Sequence, residues 1–451
     1  MGNAGASLWH EWRALLAIAA PMMIAQVAQM GTGVVDTIMA ARYNAVDLAA
    51  IAIGYNIWLP IYLVFIGVML GATTLIAQDF GAGRIEKIRN SLPQSLWLAS
   101  AVGLVFAPLC YFSNPLLGLL NLDASTHAKA LAYLQATAFG LPATAIFQAL
   151  RCHTQGIGIM RPFAIASVIG FLANIPLNYA FIYGKWGAPE LGAAGCGWAT
   201  ALSMWLSPLL MSIYMARAKN LRQYLPPFKW VRPNWAIQRD IARLGAPIGL
   251  TFFLEVAVFS IIGLAIATLG NTAMAAHQIA YNVWDVAYIL LISIGSAMGT
   301  RVGQGIGAGS HAQVKRAIAC GAATNVLIAI VCMAALLLGP QLIIGVYTSD
   351  REITGMVTAL ITLAAFFIVI DACQVTVTFA LRAFKDTAFP FYVLCGVYWF
   401  ITLPLGVYLG LELASEPLEG TLGFWKAMIL GVGITMFVLL IRLRNRLQQP
   451  L

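Results

Sequence analysis

The segment LLAIAAPMMIAQVAQMGTGVV, from Leu15 to Val35, contains 21 residues and no charged side chain. A helix of about 20 apolar residues crosses the roughly 30 Å hydrocarbon core of a bilayer. The segment therefore predicts a transmembrane helix. A cleaved signal peptide is not expected, because no basic region precedes the run and no cleavage site interrupts it.

The composition of the whole chain agrees with this first segment. Of 451 residues, 61% are apolar and 10% are charged, and the mean hydropathy is +0.83. Soluble domains carry about 25% charged residues, so this chain has too few charges to cover a water-exposed surface. Disorder is excluded for the same reason. The sequence indicates a polytopic membrane protein.

Twelve apolar segments are long enough to span a membrane. Backbone groups in a bilayer must be hydrogen-bonded internally, and strand periodicity is absent, so an all-α bundle is expected. The predicted spans are 13–39, 46–78, 91–112, 129–150, 162–184, 193–216, 241–268, 272–302, 315–338, 354–382, 389–410 and 421–442.

The positive charges predict the orientation of these spans. Twelve spans place 21 of the 26 Lys and Arg residues on the side of the two termini and five on the other. Since cytoplasmic loops are enriched in Lys and Arg, both termini are expected in the cytoplasm, with the chain in a bacterial inner membrane. The net charge of +9 is explained by this asymmetry, and no nucleic-acid partner is expected.

The chain contains an internal duplication. Shifting it by 226 residues aligns 20–83 with 246–309, with 16 identities in 64 positions. Tyr55-Asn56 meets Tyr281-Asn282, and Trp58 meets Trp284. Further along, at shifts of 228 to 231, Arg151 meets Arg382.

The duplication predicts two six-helix lobes. Six is an even number, so both lobes enter the membrane from the same side and are expected to be related by a pseudo-twofold axis along the membrane normal. The predicted domains are an N-terminal lobe at 1–216, a cytoplasmic linker at 217–240 and a C-terminal lobe at 241–451. Paired lobes of this kind are typical of transporters that rock around a shared site.

Four acidic residues fall inside predicted spans, where charges are unfavourable and usually functional. They are Asp36, Glu255, Asp285 and Asp371. Lys and Arg are expected at span ends, so nearly no basic residue is available at the same depth to pair with these acids. An unpaired buried carboxylate takes up a proton or binds a cation, and either property suits an ion-coupling site.

Other polar residues accompany these acids. Gln278, Asn282 and Asp285 form a stripe that is predicted to face the interior of the bundle. Asn174 and Asn178 on the fifth span are candidate neighbours of Asp36. On the helix of Asp36, Pro21 is the candidate for a functional kink. The acids are not repeat-related, because Glu255 aligns with Gln29.

With these residues assembled, the chain resembles the multidrug and toxic compound extrusion (MATE) family, in its NorM-type bacterial branch. The resemblance covers nearly the whole chain and rests on Pro21, the segment Val34–Ala40, the paired halves, Glu255 and Asp371. It implies a non-enzymatic carrier that exports drugs, often cationic and amphipathic, in exchange for Na⁺ or H⁺ by alternating access.

The resemblance also implies roles for individual residues. Glu255 and Asp371 match the cation-coupling acids of the C-terminal lobe, and they are the candidate ligands of Na⁺. Asp36, Asn174 and Asn178 match the polar site of the N-terminal lobe, although some relatives carry a second carboxylate near Asn178. The choice of lobe and of coupling ion stays open. We expect a monomer in the lipid bilayer, with no cofactor beyond that ion.

Three alternative functions fit the sequence less well. A lipid-linked precursor flippase of the same superfamily is disfavoured because interior acids outnumber interior bases. A major-facilitator transporter would show a charged motif after the second span, and Phe80–Glu86 matches it poorly. An intramembrane enzyme is disfavoured because no paired catalytic motif is present.

Overall fold

The computed structural model describes residues 2–226, 231–348 and 350–450, with side chains from Leu8 onward. Within these residues the regular structure is helical. The α-helices are α1 (Gly2–Tyr43), α2 (Ala45–Gly81), α3 (Ile85–Tyr111), α4 (Asn114–Gly118), α5 (Ala124–Ala138), α6 (Leu141–Ile157), α7 (Arg161–Tyr183), α8 (Ala193–Arg217), α9 (Lys219–Arg222), α10 (Trp235–Ala267), α11 (Asn271–Gly307), α12 (His311–Leu338), α13 (Pro340–Tyr347), α14 (Arg351–Ala383), α15 (Ala388–Val397), α16 (Leu403–Val407) and α17 (Pro417–Leu447). The prediction of an all-α membrane protein is confirmed.

Capping residues define several helix ends. The side chains of Asn44 and Asp350 accept hydrogen bonds from the first backbone N–H groups of α2 and α14. At the other end of α2, Gly83 has φ +69°, and its repeat counterpart Gly309 after α11 has φ +65°. Left-handed backbone favours glycine, so the duplicated Gly-Ala-Gly motif is a helix-ending turn.

Eleven helices in the described residues are long and apolar enough to cross a membrane. The fourth predicted span, 129–150, is instead a pair of helices, α5 and α6, bent by 43°. The pair counts as the twelfth span if it is taken as one. Gly140 lies at the bend, where an added side chain would meet the side chain of Met204, and Pro142 is the second residue of α6.

The eleventh predicted span is irregular in another way. Residues 388–412 form one continuous helical span that includes two π-helical segments, Tyr398–Thr402 and Tyr408–Glu412, on either side of α16. Pro404 lies in α16 and has no backbone N–H to donate. Wider π-helical turns are one way in which a helix accommodates a missing donor.

Two compact units are present. The N-unit comprises residues 20–249, and the C-unit comprises residues 1–19 together with 250–451. These units differ at their edges from the predicted lobes 1–216 and 241–451. The first part of α1 groups with the C-unit, and the first part of α10 groups with the N-unit.

The segment between α8 and α10 is hydrogen-bonded to α3 of the N-unit. The side chain of Gln94 on α3 donates to the carbonyl oxygen of Arg232 and accepts from the backbone N–H of Asn234, at 3.0 and 2.6 Å. Trp97 donates to the carbonyl oxygen of Val231 at 3.0 Å. Since α10 begins at Trp235, the described connection is shorter than the predicted linker 217–240; residues 227–230 lie outside the described residues.

Candidate functional site

Glu255 and Asp371 both lie in the C-unit, close enough for their charges to interact. Glu255 is the 21st residue of α10, and Asp371 is the 21st residue of α14, so each lies about 30 Å along its helix. Asp371 is 3% exposed, and its Oδ2 accepts a hydrogen bond from Trp284 Nε1 at 3.2 Å. Glu255 is half-buried, and the charge of Asp371 acts on it.

Aromatic side chains surround this pair of acids. Trp284 stacks on Tyr288 with ring centroids 4.9 Å apart, and Phe259 and Phe367 each lie 5.6 Å from the Trp284 ring. Aromatic faces are suited to organic cations as well as to apolar groups. The arrangement therefore joins a negative centre to an apolar, aromatic surface.

The expectation that these acids have no basic partner is wrong for Glu255. Arg382 is 8% exposed, lies within α14 rather than in a loop, and acts electrostatically on Glu255. Its guanidinium also stacks over Phe379 at 4.7 Å and over Phe252 at 5.3 Å. Cation–π contacts and a carboxylate together allow a buried guanidinium to remain charged.

The predicted polar stripe on α11 does not join the buried acids. Gln278 donates to Asn282 at 3.1 Å, as expected for residues one turn apart. Gln278 is nevertheless exposed, and Asn282 and Asp285 are half-buried. The stripe therefore lies at the surface of its helix rather than in the core of the C-unit.

Asp36 is the centre of a second polar cluster, in the N-unit. It is 6% exposed, and its two oxygens accept hydrogen bonds from Asn178 Nδ2 at 2.6 Å and from Thr200 Oγ1 at 3.0 Å. The same Asn178 nitrogen donates to Asn174 at 2.8 Å, and both asparagines are fully buried. Cys196 also faces the carboxylate. The predicted trio of Asp36, Asn174 and Asn178 is thus brought together.

Sequence reasoning missed Thr200, Trp284 and Arg382. A signal existed for two of them, because Trp284 and Arg382 belong to identities between the two halves of the chain. No comparable signal marks Thr200, since threonine is common in membrane helices and its hydroxyl usually bonds its own backbone.

Pro21 lies within α1, which is a single helix from Gly2 to Tyr43. The boundary between the two units crosses α1 at residues 19 and 20, directly before this proline. The repeat-related Pro247 lies in α10, two residues before the boundary at 249 and 250. Each proline therefore marks the place where a helix passes from one unit to the other.

The donor set limits how a cation could be held. Across the described ranges, no group of three or more His, Cys, Asp and Glu side chains is arranged to hold a metal ion. Glu255 and Asp371 supply two carboxylates, and Asp36 supplies one together with amide and hydroxyl groups. These sets suit a proton or a weakly held monovalent cation better than a tightly bound divalent metal.

Comparison with known proteins identifies the family. A family model described as MatE matches residues 21–180 and again 247–408. The two matches begin at Pro21 and Pro247, in agreement with the duplication read from the sequence.

Proteins named multidrug resistance protein MdtK are similar to the whole chain. The protein from Edwardsiella ictaluri is 38% identical over 98% of this chain and 97% of its own length. The protein from Yersinia pseudotuberculosis is 36% identical over 98% of this chain and 96% of its own length.

Solved structures share the fold. A MATE transporter in the bent conformation has a TM-score of 0.88 at 18% identity, covering 97% of this chain and 95% of that one. The eukaryotic MATE transporter AtDTX14 has a TM-score of 0.85 at 19% identity, covering 98% and 100%. With two matches of the family model and full-length relatives above 30% identity, the chain belongs to the MatE family of multidrug and toxic compound extrusion transporters.

Proposed function

We propose that this protein is a multidrug efflux antiporter that exports organic cations and other hydrophobic drugs in exchange for Na⁺ or H⁺ by alternating access. The relatives named multidrug resistance protein support drug export by a carrier without enzymatic chemistry. The bacterial inner membrane is its proposed location, with both termini in the cytoplasm, and the monomer is its proposed working form.

The observation that carries the coupling proposal is the pairing of Glu255 and Asp371 in the C-unit. Two carboxylates that act on each other in a low-dielectric surrounding are stabilised by a proton or a cation placed between them. Arg382 offsets part of the charge of Glu255, and Trp284 donates to Asp371. The pair can therefore gain and lose one positive charge while the surrounding helices stay folded.

The same chemistry explains exchange. Two ionised carboxylates and Arg382 carry a net charge of −1, so one bound coupling ion neutralises the group, and a cationic drug then loses its electrostatic attraction to the aromatic surface around Trp284. When the ion leaves, the negative charge returns and the drug binds. Asp36 is the proposed second acid, because its hydrogen-bonding partners Asn178 and Thr200 are neutral and leave its charge uncompensated.

Transport by purified protein in proteoliposomes tests the coupling. A Na⁺ gradient and a proton gradient are imposed separately, and uptake of a fluorescent organic cation is followed. We expect gradient-driven transport for the native chain with one of the two ions. Glu255→Gln and Asp371→Asn should each lower it at least about tenfold, since each removes the ionisable group.

Glu352→Gln is the matched control, because Glu352 is an exposed acid on the same helix as Asp371. It should transport like the native protein. Full gradient-driven efflux by both Glu255→Gln and Asp371→Asn would remove these residues from the coupling mechanism.

A further inference from the structure

The two halves of the chain carry the same aromatic ladder. In the C-unit, the centroids of the Tyr281 and Trp284 rings are 5.2 Å apart, and Trp284 stacks on Tyr288 at 4.9 Å. In the N-unit the repeat-related rings follow the same order: Tyr55 lies 6.0 Å from Trp58, which stacks on Tyr62 at 4.5 Å.

A buried arginine accompanies each ladder. Arg382 acts on Tyr288 in the C-unit, and the repeat-related Arg151 acts on Tyr62 in the N-unit. The predicted fourth span ends at residue 150, which places Arg151 in the following loop. In the structure Arg151 instead lies within α6 and is 6% exposed. Its guanidinium stacks over Phe163 at 4.7 Å and donates to Gln148 Oε1 at 3.3 Å.

The two ladders differ in whether a carboxylate acts on the tryptophan and the arginine. In the C-unit, Trp284 donates to Asp371 and Arg382 faces Glu255. In the N-unit, Gln29 occupies the position of Glu255, and its side chain donates to Ser167 at 3.4 Å. The charged or ionisable groups that act on Arg151 are Tyr62 and Cys152, and neither is a carboxylate.

Two donor groups of the N-unit, one on the ladder and one on Arg151, have no acceptor. Trp58 Nε1 and Arg151 Nε are both buried without a hydrogen-bond partner. An unsatisfied buried donor is unfavourable, and a buried cation without a counter-ion is more unfavourable still. Trp58 and Tyr62 are half-buried, so the edge of the ladder reaches the surface of the N-unit.

We propose that the N-unit ladder, together with Arg151, binds the carboxylate end of drug molecules that carry a negative group. The planar guanidinium matches a carboxylate in shape and charge, and the rings of Trp58 and Tyr62 hold the aromatic body of the same molecule. The C-unit ladder, with its two acids, takes cationic groups instead. This inference rests on the proposed export of drugs but not on the identity of the coupling acids.

Equilibrium binding tests this proposal without any ion gradient. The purified full-length protein is placed in nanodiscs of zwitterionic lipid, and binding is measured for a rhodamine with a free benzoate and for its methyl ester. The two dyes differ only in the carboxylate. Arg151→Gln should weaken binding of the benzoate dye about tenfold or more and leave binding of the ester unchanged.

Two further variants distinguish a specific loss of carboxylate binding from a loss of folding. Gln148→Glu supplies Arg151 with an internal carboxylate, so it should weaken binding of the benzoate dye by a similar factor without weakening binding of the ester. Arg161→Gln removes an exposed positive charge at the start of α7 and should change neither dye.

Competition by acetate and by inorganic phosphate identifies the ligand chemistry. We expect acetate to displace the benzoate dye from the native protein and phosphate to do so less well. Unchanged benzoate binding in both Arg151→Gln and Gln148→Glu, or equal weakening of both dyes, would overturn the proposal. Because no gradient is present, that result stays distinct from a failure of Glu255 and Asp371 to couple transport.

Discussion

The hydrogen-bonding partners of Asp36 are neutral, whereas the charge of Arg382 acts on Glu255. Thr200 and Asn178 each donate to one oxygen of the Asp36 carboxylate, so these two donors from α8 and α7 fix its orientation. Hydrogen bonds to a charged group contribute about 1.5–3 kcal/mol each, so a single donor has a measurable effect on stability.

We predict that Thr200→Val lowers the melting temperature of the detergent-solubilised protein by about 2–4 °C, because valine keeps the shape of threonine but cannot donate to Asp36. Thermal unfolding followed by tryptophan fluorescence measures the change. Thr37→Val is the control, because Thr37 is exposed on the same helix as Asp36 and bonds only its own backbone at 2.9 Å. Equal melting temperatures for both variants would contradict the role assigned to Thr200.

Another residue-scale feature holds the first part of α1 in the C-unit. Glu11 is 4% exposed and accepts two hydrogen bonds from Arg301, at 2.7 and 2.8 Å. The next residue, Trp12, donates to Thr324 at 2.8 Å. A bidentate ion pair of this kind fixes orientation as well as distance. Together the two contacts anchor the first part of α1 to both α11 and α12.

At the scale of helices, the closest approach is made by glycines. Gly67 and Gly71 on α2 face Gly249 and Gly245 on α10, and a side chain added at any of them would meet backbone of the other helix. Each pair is spaced four residues apart, which is the pattern of small residues that allows membrane helices to touch backbone to backbone.

Gly245→Val should therefore prevent the N-unit from assembling, because its Cβ would meet the carbonyl oxygen of Val68 and neither backbone can move aside. The yield of monodisperse protein in size-exclusion chromatography measures this, and we expect it to fall severalfold. Gly433→Val is the matched control and should give a normal yield, since Gly433 also lies inside a helix but faces open space. A normal yield for Gly245→Val would show that the two helices are not in close contact.

The bend between α5 and α6 is a feature that the sequence did not predict. Pro142 and Gly140 accompany a real break of 43°, yet Pro21, Pro60 and Pro176 lie inside helices that continue. Proline and glycine alone do not separate these cases, because neighbouring helices can supply the missing hydrogen bonds in one place and not in another. The apolar count predicted the span, and packing around Gly140 decided its shape.

At the scale of the whole molecule, charge asymmetry still supports the proposed orientation. Arg151 and Arg382 were counted among the 21 cytoplasmic basic residues, but they are buried in helices. Without these two the asymmetry is nineteen against five, so the direction of the positive-inside signal is unchanged.

Reporter fusions in a bacterial host check that orientation. Alkaline phosphatase, which is active only outside the cytoplasm, should be inactive when fused after Leu447 at the end of α17. The same enzyme should be active when inserted at Gly187, between α7 and α8. Green fluorescent protein at the two positions should give the reciprocal pattern. Activity of the phosphatase after Leu447 would reverse the orientation.

The sequence predicted the fold more completely than the sites. Twelve apolar segments and a repeat of 226 residues are strong signals, because every residue of a span contributes to them. Asp36 and Asp371 were visible for a related reason, since charges are rare inside such segments. Arg382 was not, because a basic residue at the last position of a predicted span is expected at the membrane surface, whereas the structure buries it.

The passage of α1 and α10 from one unit to the other has a consequence for the origin of the protein. Before duplication, a single six-helix ancestor would have contained only one such helix, and its first part belongs with a unit other than the one it leads into. Two copies of such a chain could complete each other's fold as a homodimer in which the subunits exchanged these helix ends. Gene fusion would then have fixed the domain-swapped pair in one polypeptide, after which the two copies were free to acquire different charges.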